Sequence, residues 1–238
     1  LGYRLYRDLK RGWRITSPNL EQCGLLEIKY LSLEDVCRDE DVWAKGHPAL
    51  VSASSETRAK IAKVLLDYMR RELAIKVDYL DSRYQENVQQ RSSQRLVSPW
   101  AIDENETVEH AAILFPRSRK DKDFGGNVFL SARGGFGQYL RRSTTFTDFK
   151  NKLRLEDTQA IINDLLNGLR QAGLVEIVEQ PRDKDDAPGY HLPASALLWV
   201  AGNGTKAFHD PIVVPNESAE GGRTNPFFVD FYQVVAGE

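Results

Sequence analysis

The sequence has few of the residues from which disulfide frameworks and metal sites are built. Its 238 residues include two cysteines and four histidines. Cys23 and Cys37 cannot form a disulfide framework, and no CxxC motif or Cys/His cluster indicates a zinc site. We therefore expect reduced thiols, a cytoplasmic location and no bound metal.

Signatures of membrane proteins and of several enzyme classes are also absent. No apolar run approaches the roughly 18 residues of a membrane-spanning helix, and no signal-peptide pattern is present. The sequence has neither the GxxxxGK[ST] loop that binds nucleoside triphosphates nor the GxSxG motif of serine hydrolases. The stretch ARGGFGQYLRR at 132–142 lacks the lysine of a phosphate-binding loop, so a turn into a helix explains its glycines equally well. We expect no catalytic residue in this chain.

Charge of one sign is not in large excess. The chain has 32 lysines and arginines against 34 aspartates and glutamates, which gives a formal net charge of -2. This balance excludes a wholly basic nucleic-acid coat but allows a local basic face. Because 41% of the residues are hydrophobic, the chain can bury a core, and its length allows one large domain or two of ordinary size.

The first part of the chain, residues 1–130, predicts a mainly helical domain with short strands. Its clearest helix covers 55–75, where apolar residues recur near the 3.6-residue period and either of the two serines at its start can cap it. A more polar helix is predicted over 78–96, and 110–135 contains two short strands around a charged turn. The predicted fold class is α+β.

Residues 131–201 predict a winged-helix domain, a variant of the helix-turn-helix. The third helix carries an apolar stripe and ends before Gly173, because a helix often ends at a left-handed residue that glycine adopts at low cost. Residues 202–238 are interpreted as an irregular linker and the start of a helix that leads to a further domain outside this sequence. The predicted winged-helix elements are helical pieces at 136–142, 145–151 and 155–173 and a hairpin with its polar tip between Pro181 and Gly189.

In this interpretation the third helix enters a major groove and the hairpin tip follows the neighbouring phosphate backbone. Cations would contact phosphates, and polar side chains of the helix would contact base edges. The candidate residues are Arg141, Arg142, Lys150, Lys152, Arg154, Gln159, Asn163, Asn167, Arg170, Arg182 and Lys184. Carboxylates on the same helix and tip would weaken phosphate contacts; they are Glu156, Asp157, Asp164, Asp183, Asp185 and Asp186. We therefore expect contact with the phosphate backbone of the nucleic acid rather than recognition of a specific base sequence.

Several phrases of the sequence carry a resemblance to a known family. They are GYRLYRDLKRGWRITSPNLEQCGLLEIKY, RRELAIKVDYL, GLVEIVE with GYHLPASALLWVAGNG, and RTNPFFVDFYQVVAG. These phrases resemble the region between the two motor lobes of large bacterial superfamily-2 DEAD/DEAH-box helicases, including those of DISARM-type phage-defence systems. The resemblance covers the chain from Gly2 to Gly237 and includes no catalytic motif.

The resemblance implies an accessory region that grips or separates a duplex while the motor lobes hydrolyse ATP. ATP and Mg are then expected only in lobes outside this sequence. The implied partners are DNA, with RNA left open, the helicase lobes and a DUF1998-type partner protein. A start without methionine and an end within an amphipathic helix predict a segment of a longer protein. Two alternatives stay open, a protein-protein docking module of a multi-subunit defence complex and a winged-helix transcriptional regulator.

Overall fold

The computed structural model of the chain describes residues 1–10, 18–97, 101–103, 105–117, 126–181, 186–214 and 224–237. The helices are α1 (Gly2–Asp8), α2 (Leu33–Arg38), α3 (Glu40–Trp43), α4 (Pro48–Val51), α5 (Ser55–Arg71), α6 (Ser82–Arg95), α7 (Gly135–Leu140), α8 (Leu155–Gln171) and α9 (Pro226–Gly237). The strands are β1 (Leu26–Tyr30), β2 (Ile75–Lys76), β3 (Ile113–Phe115), β4 (Asn127–Phe129), β5 (Glu176–Glu179), β6 (Gly189–Pro193) and β7 (Leu197–Ala201). Short 3₁₀ turns cover Asp78–Leu80 and Ala194–Ala196. The fold is thus a mixture of helices and strands, as the sequence predicts.

Strand β6 is the centre of the larger sheet. Its Tyr190 is the register partner of both Ile177 in β5 and Leu114 in β3, and both pairings are antiparallel. Because one residue has partners on both of its sides, β6 lies between β5 and β3. β2 joins β6 in parallel at Leu192, and β4 joins β3 in parallel. β1 and β7 form a separate antiparallel pair.

Helix α5 confirms a predicted helix and corrects its end. The Ser54 hydroxyl caps the helix by accepting a hydrogen bond from the Thr57 N–H at 3.2 Å. The helix ends at Arg71, earlier than predicted, because Leu73 adopts a left-handed φ of 57° and the chain then enters β2. The polar helix predicted next begins as a 3₁₀ turn and continues as α6.

Helix α8 follows its sequence pattern most closely. Its predicted apolar stripe is fully buried, and Gly173 adopts the left-handed φ of 73° expected after the helix end. Burial of each large aliphatic side chain contributes about 1.5–3 kcal/mol, so this stripe anchors the helix firmly. The buried stripe consists of Ile161, Ile162, Leu165, Leu166 and Leu169.

The core around α8 draws on most of the described chain. One buried cluster joins Tyr3 of α1, Leu65 of α5, Leu165 of α8 and Leu197 of β7. Residues on both sides of the predicted boundary at 130 therefore contribute to one apolar core. The division into domains stays a prediction.

The second predicted helical piece, residues 145–151, is wrong, because these residues form turns. Thr145 is buried, and its hydroxyl donates a hydrogen bond to the Tyr139 carbonyl at 2.6 Å. Threonine side chains that bond to nearby backbone groups compete with helix formation. Phe146 is buried beside it, which fixes the turn against the core.

The described part of the predicted linker, residues 202–214, is largely irregular but packs onto the core. The guanidinium of Arg71 lies 4.7 Å from the ring centroid of Phe208. The same arginine pairs with Asp210 at 3.0 Å. The backbone N–H of Phe208 also donates to the Glu21 carbonyl at 2.9 Å. This segment therefore packs against the C-terminal end of α5.

Helix α9 confirms the helix predicted at the C-terminal end of the sequence. Val229 is buried on its inner side, beside Gly204. The Tyr232 hydroxyl donates a hydrogen bond to the Pro18 carbonyl at 2.9 Å. Among the described residues, no helix combines the length and the apolar character needed to cross a membrane.

A buried ion cluster ties α5 to the chain before β1. Arg70 is 0% exposed and contacts both carboxylate oxygens of Glu21, at 2.6 and 2.7 Å. It also pairs with Asp67 at 2.9 Å, and Asp67 accepts a hydrogen bond from the Tyr30 hydroxyl at 2.8 Å. Burial alone would lower the pKa of Arg70, but the charge of Asp67 raises that pKa well above its ordinary value. Because the charges satisfy one another, this cluster is a structural feature.

His191 lies in β6 among charged residues from neighbouring elements. Burial lowers the pKa of its imidazole, and Lys76 of β2 acts in the same direction. A hydrogen bond with the Ala112 backbone and the charges of Glu176 and Asp81 oppose this shift. The neutral imidazole is therefore favoured in the folded chain.

Candidate nucleic-acid interface

The exposed side of α8 is a stripe of polar side chains opposite the buried stripe. Asn163, Asn167 and Arg170 are exposed and follow one another at helical spacing. Gln159 lies at the margin, where its amide donates to the Pro116 carbonyl at 2.7 Å and contacts the amide oxygen of Asn163 at 3.4 Å. We call these four residues the α8 stripe. The structure brings together all four candidates that the sequence placed on this helix.

Two of the three carboxylates on α8 point away from the α8 stripe. Asp164 accepts a hydrogen bond from the His47 backbone N–H at 2.7 Å. Asp157 accepts one from the Arg154 backbone N–H at 2.8 Å, and an oxygen of the same carboxylate lies 3.5 Å from His47 Nε2. The Arg154 N–H, followed by His47, lowers the pKa of Asp157. Among the carboxylates of this helix, Glu156 alone remains on the exposed side, so the stripe is less acidic than the sequence indicates.

Positive charge is concentrated just before α8. Residues 133–154 contain six cations and one carboxylate, Asp148, in a chain whose net charge is -2. Lys150, Lys152 and Arg154 are exposed, and in the part of the chain that the structure describes none of them is held in an ion pair. We call these three residues the basic segment. They carry charge that is available to an anionic partner.

An open depression of about 800 Å³ lies where the basic segment meets the start of α8. Lys152 and Arg154 line it together with Phe149 and Arg141. His47 also lines it and contacts the Phe149 ring edge-on, with 5.9 Å between the ring centroids. Its lining also includes Glu156 and Asp157, so the depression combines three cations, two carboxylates and two rings.

Arg141 and Arg142, the other two candidates before α8, are engaged within the chain. Arg141 donates to the Ala132 carbonyl and lies 3.4 Å from the Thr158 hydroxyl. Arg142 donates to the carbonyls of Pro211 and Ile212, at 2.5 and 3.3 Å. Both guanidinium groups therefore hold backbone segments of the chain in place. We expect them to contribute positive electrostatic potential to the interface rather than direct contacts with a partner.

The two candidates at the hairpin tip, Arg182 and Lys184, lie outside the described residues, as do Asp183 and Asp185. The strands on either side are described, with β5 ending at Glu179 and β6 beginning at Gly189. The contribution of the tip to the interface stays a prediction.

Sequence reasoning missed two residues that orient α8. His47 caps α4, since its Nδ1 accepts the Ala49 N–H at 3.2 Å, and the same residue contacts Asp157 and Asp164 of α8. Trp43 packs its ring against Gly168, where an added Cβ would lie 3.1 Å from the indole. The His-Pro pair at 47–48 does signal a helix start. Nothing in the sequence links it to a helix more than a hundred residues later.

No arrangement typical of a metal centre accompanies this interface. Across the described ranges, no three His, Cys, Asp or Glu side chains are grouped so that they could hold a metal ion. Comparison with known proteins found no matching family model, no matching curated sequence and no matching solved structure.

Proposed function

We propose that this chain contacts nucleic acid, and that α7, α8, β5 and β6 work as a winged helix in that contact. Helix α8 is followed directly by the antiparallel β5–β6 pair, which is the order of a recognition helix and its wing. The additional strand β3 on the other side of β6 supports the hairpin against the core. The predicted helix at 145–151 is absent, so a connection of residues 141–154 between α7 and α8 stands in place of the second of the three predicted helices.

One observation carries the proposal: an exposed stripe of amides and a guanidinium lies beside exposed cations, and two carboxylates of α8 accept hydrogen bonds from within the chain. Asn and Gln side chains pair with adenine edges, and Arg pairs with guanine or phosphate. Lysines and arginines of the basic segment suit the phosphate backbone. We infer that backbone contact supplies most of the affinity and that the α8 stripe adds modest base preference.

We propose further that this grip serves an ATP-dependent helicase, in which motor lobes outside this sequence bind ATP and Mg. The support for this step is the resemblance of the sequence phrases to the inter-lobe region of such helicases. The chain itself would hold one strand or the duplex while the motor moves. Purified alone, it should bind nucleic acid without hydrolysing ATP.

The experiment compares nucleic-acid binding by the wild-type chain and by a variant in which two cations of the basic segment are replaced by glutamates. Fluorescence anisotropy with a labelled duplex and a labelled single strand would compare the wild-type chain with the Lys152→Glu/Arg154→Glu variant. We expect at least a roughly tenfold loss of affinity, because two phosphate contacts become repulsive. The Arg154 substitution keeps the helix cap, since the backbone N–H makes that bond.

The matched control is Lys29→Glu/Lys206→Glu, which changes the net charge equally at exposed positions outside the interface. If the control weakens binding as much as the interface variant, only net charge matters and the site is wrong. If the wild-type chain binds neither probe at low salt, the proposed function is wrong. Circular dichroism of each variant would show that it remains folded.

A further inference from the structure

The depression at the start of α8 offers more kinds of contact than a phosphate backbone uses. Arg141, Lys152 and Arg154 bring positive charge to its lining, and His47 and Phe149 bring aromatic rings. Its volume of about 800 Å³ lies within the range of roughly 300–1,000 Å³ that is typical of sites for small ligands. Phosphates would use only the cations, so the rings suit a ligand that also has a flat apolar face.

The Phe149 ring is held in place before any ligand binds. It packs against the buried core, and its centroid lies 5.9 Å from that of His47, with the two ring planes 67° apart. The imidazole is held in turn, because its Nδ1 accepts a hydrogen bond from the Ala49 N–H at 3.2 Å. A ligand that stacks here does not have to order these rings, which lowers the entropic cost of binding.

Glu156 supplies a hydrogen-bond acceptor to the same depression. It is exposed, and among the described residues its carboxylate has no hydrogen-bond or ion-pair partner. This carboxylate is unfavourable beside a phosphate, but a carboxylate can accept a hydrogen bond from the amino group of cytosine. The other carboxylate, Asp157, already accepts one from the Arg154 backbone N–H at 2.8 Å. Cations, rings and a free acceptor together match a nucleotide, which combines a phosphate, an aromatic face and N–H donors.

The rings distinguish a paired from an unpaired nucleotide. Within a duplex the base faces are stacked on one another, so they cannot lie against a protein ring. An unpaired base can, and proteins bind single strands by combining aromatic side chains that stack on bases with cations that follow the backbone.

We propose that the depression binds an unpaired nucleotide of a nucleic-acid strand, with its base against Phe149 and its phosphate on Lys152 or Arg154. This inference rests on the nucleic-acid contact proposed above and names the form of nucleic acid that the depression selects. The neighbouring α8 stripe would contact the adjoining duplex.

The test compares three labelled duplexes by fluorescence anisotropy at low salt. One is blunt, one has a short unpaired extension of cytidines, and one has an abasic extension of the same length; extensions at the 5′ and 3′ ends are measured separately. We expect the wild-type chain to bind a cytidine extension about tenfold more tightly than the blunt duplex, because stacking on an aromatic ring changes affinity by about five- to 150-fold per base. The abasic extension should gain less than about threefold, since it adds phosphates without bases.

Phe149→Leu keeps an apolar side chain and removes the ring. It should abolish most of the advantage of the cytidine extension and leave binding of the blunt duplex within about twofold of the wild type. The matched control is Phe129→Leu, because Phe129 is also partly buried and does not line the depression. This control should keep the full advantage. Should Phe149→Leu fail to fold, the cytidine and abasic extensions still test the proposal on the wild-type chain.

The proposal is overturned if the cytidine and abasic extensions bind equally, or if Phe129→Leu loses the advantage as fully as Phe149→Leu. It is also overturned if micromolar cytidine monophosphate removes the advantage, because the depression would then be a site for free nucleotides. If the wild-type chain binds the blunt duplex but gains nothing from any extension, this inference fails and the proposed nucleic-acid contact stands. If it binds none of the probes, the proposed function itself is wrong.

Discussion

The salt dependence of nucleic-acid binding is the sharpest quantitative consequence of the interface. Four exposed cations, Lys150, Lys152, Arg154 and Arg170, are available to phosphates in the described part of the chain. Each phosphate that a duplex-binding protein neutralises contributes about -0.9 to the slope of log K against log salt concentration. Four contacts therefore predict a slope of about -3.6, or roughly a hundredfold loss of affinity between 50 and 200 mM salt.

The double variant Lys150→Ala/Lys152→Ala removes half of these contacts. Its slope should fall to about -1.8, and its loss of affinity over the same salt range should be about tenfold. Anisotropy titrations of a labelled duplex at four or five salt concentrations give both slopes. Phosphate contacts by Arg182 and Lys184 at the hairpin tip would make both slopes steeper by about the same amount. The difference in slope between the wild-type chain and the double variant therefore still measures the contribution of Lys150 and Lys152.

A slope that the double variant leaves unchanged would refute the reasoning, because the basic segment would then release no counterions. A wild-type slope near zero would refute it as well, since the contact would not involve phosphates. Equal slopes for duplex and single strand would have a different meaning. Single strands release fewer counterions per contact, so equality would indicate more contacts to the single strand.

Three further predictions concern the scaffold beneath the interface. Glu21→Gln should lower the free energy of unfolding by about 3 kcal/mol in urea denaturation, because Arg70 is fully buried and would lose a charged partner. Gly137→Ala should cost about 2 kcal/mol in the same assay, because a Cβ there would overlap the Ala132 carbonyl. The stability of the wild-type chain should fall as pH drops below about 6.5, because the unfolded chain takes up a proton more readily than the folded His191, whose pKa is lowered. His191→Gln should lose less stability between pH 7 and 5 than the wild type.

Matched substitutions separate these effects from general damage. Glu27→Gln on the exposed side of β1 should change the free energy of unfolding by less than about 0.5 kcal/mol. His110→Gln, at an exposed histidine, is the matched control for His191→Gln. Equal effects of Glu21→Gln and Glu27→Gln would contradict the burial argument. A Gly137→Ala variant as stable as the wild type would show that the start of α7 can move away from its neighbour.

Local patterns in the sequence predicted the parts of the fold that depend on local chemistry. The apolar period of α8, the Ser54 cap of α5 and the glycine after α8 each act within a few residues, and each is confirmed. The turn at 145–151 was mistaken for a helix although its cause is also local. The bond from the Thr145 hydroxyl to the Tyr139 carbonyl competes with a helix, and residue composition alone does not show which of the two wins.

The charge distribution of the candidate site could not be predicted, because distant residues set it. Asp157 and Asp164 look like obstacles to phosphate binding until His47, from another part of the chain, engages both. Arg142 looks available until the carbonyls of Pro211 and Ile212 are seen to hold it. Counting charges along the sequence therefore assigned too many carboxylates and too many available cations to the candidate site.

The orientation of α8 is consequently a property of the whole chain. His47 contacts α8 through Asp157 in its first turn and Asp164 near its middle, and Trp43 packs against Gly168 closer to its end. On the sheet side, β6 is paired with β3 as well as with β5, so the hairpin after the helix is also fixed by earlier residues. A stripe of short amides needs such support, because Asn163 and Asn167 reach base edges only if the helix backbone is held close and at a fixed angle. A fragment of residues 131–201 would lack His47, Trp43 and β3, and its remaining cations would grip a phosphate backbone without holding the amides in register.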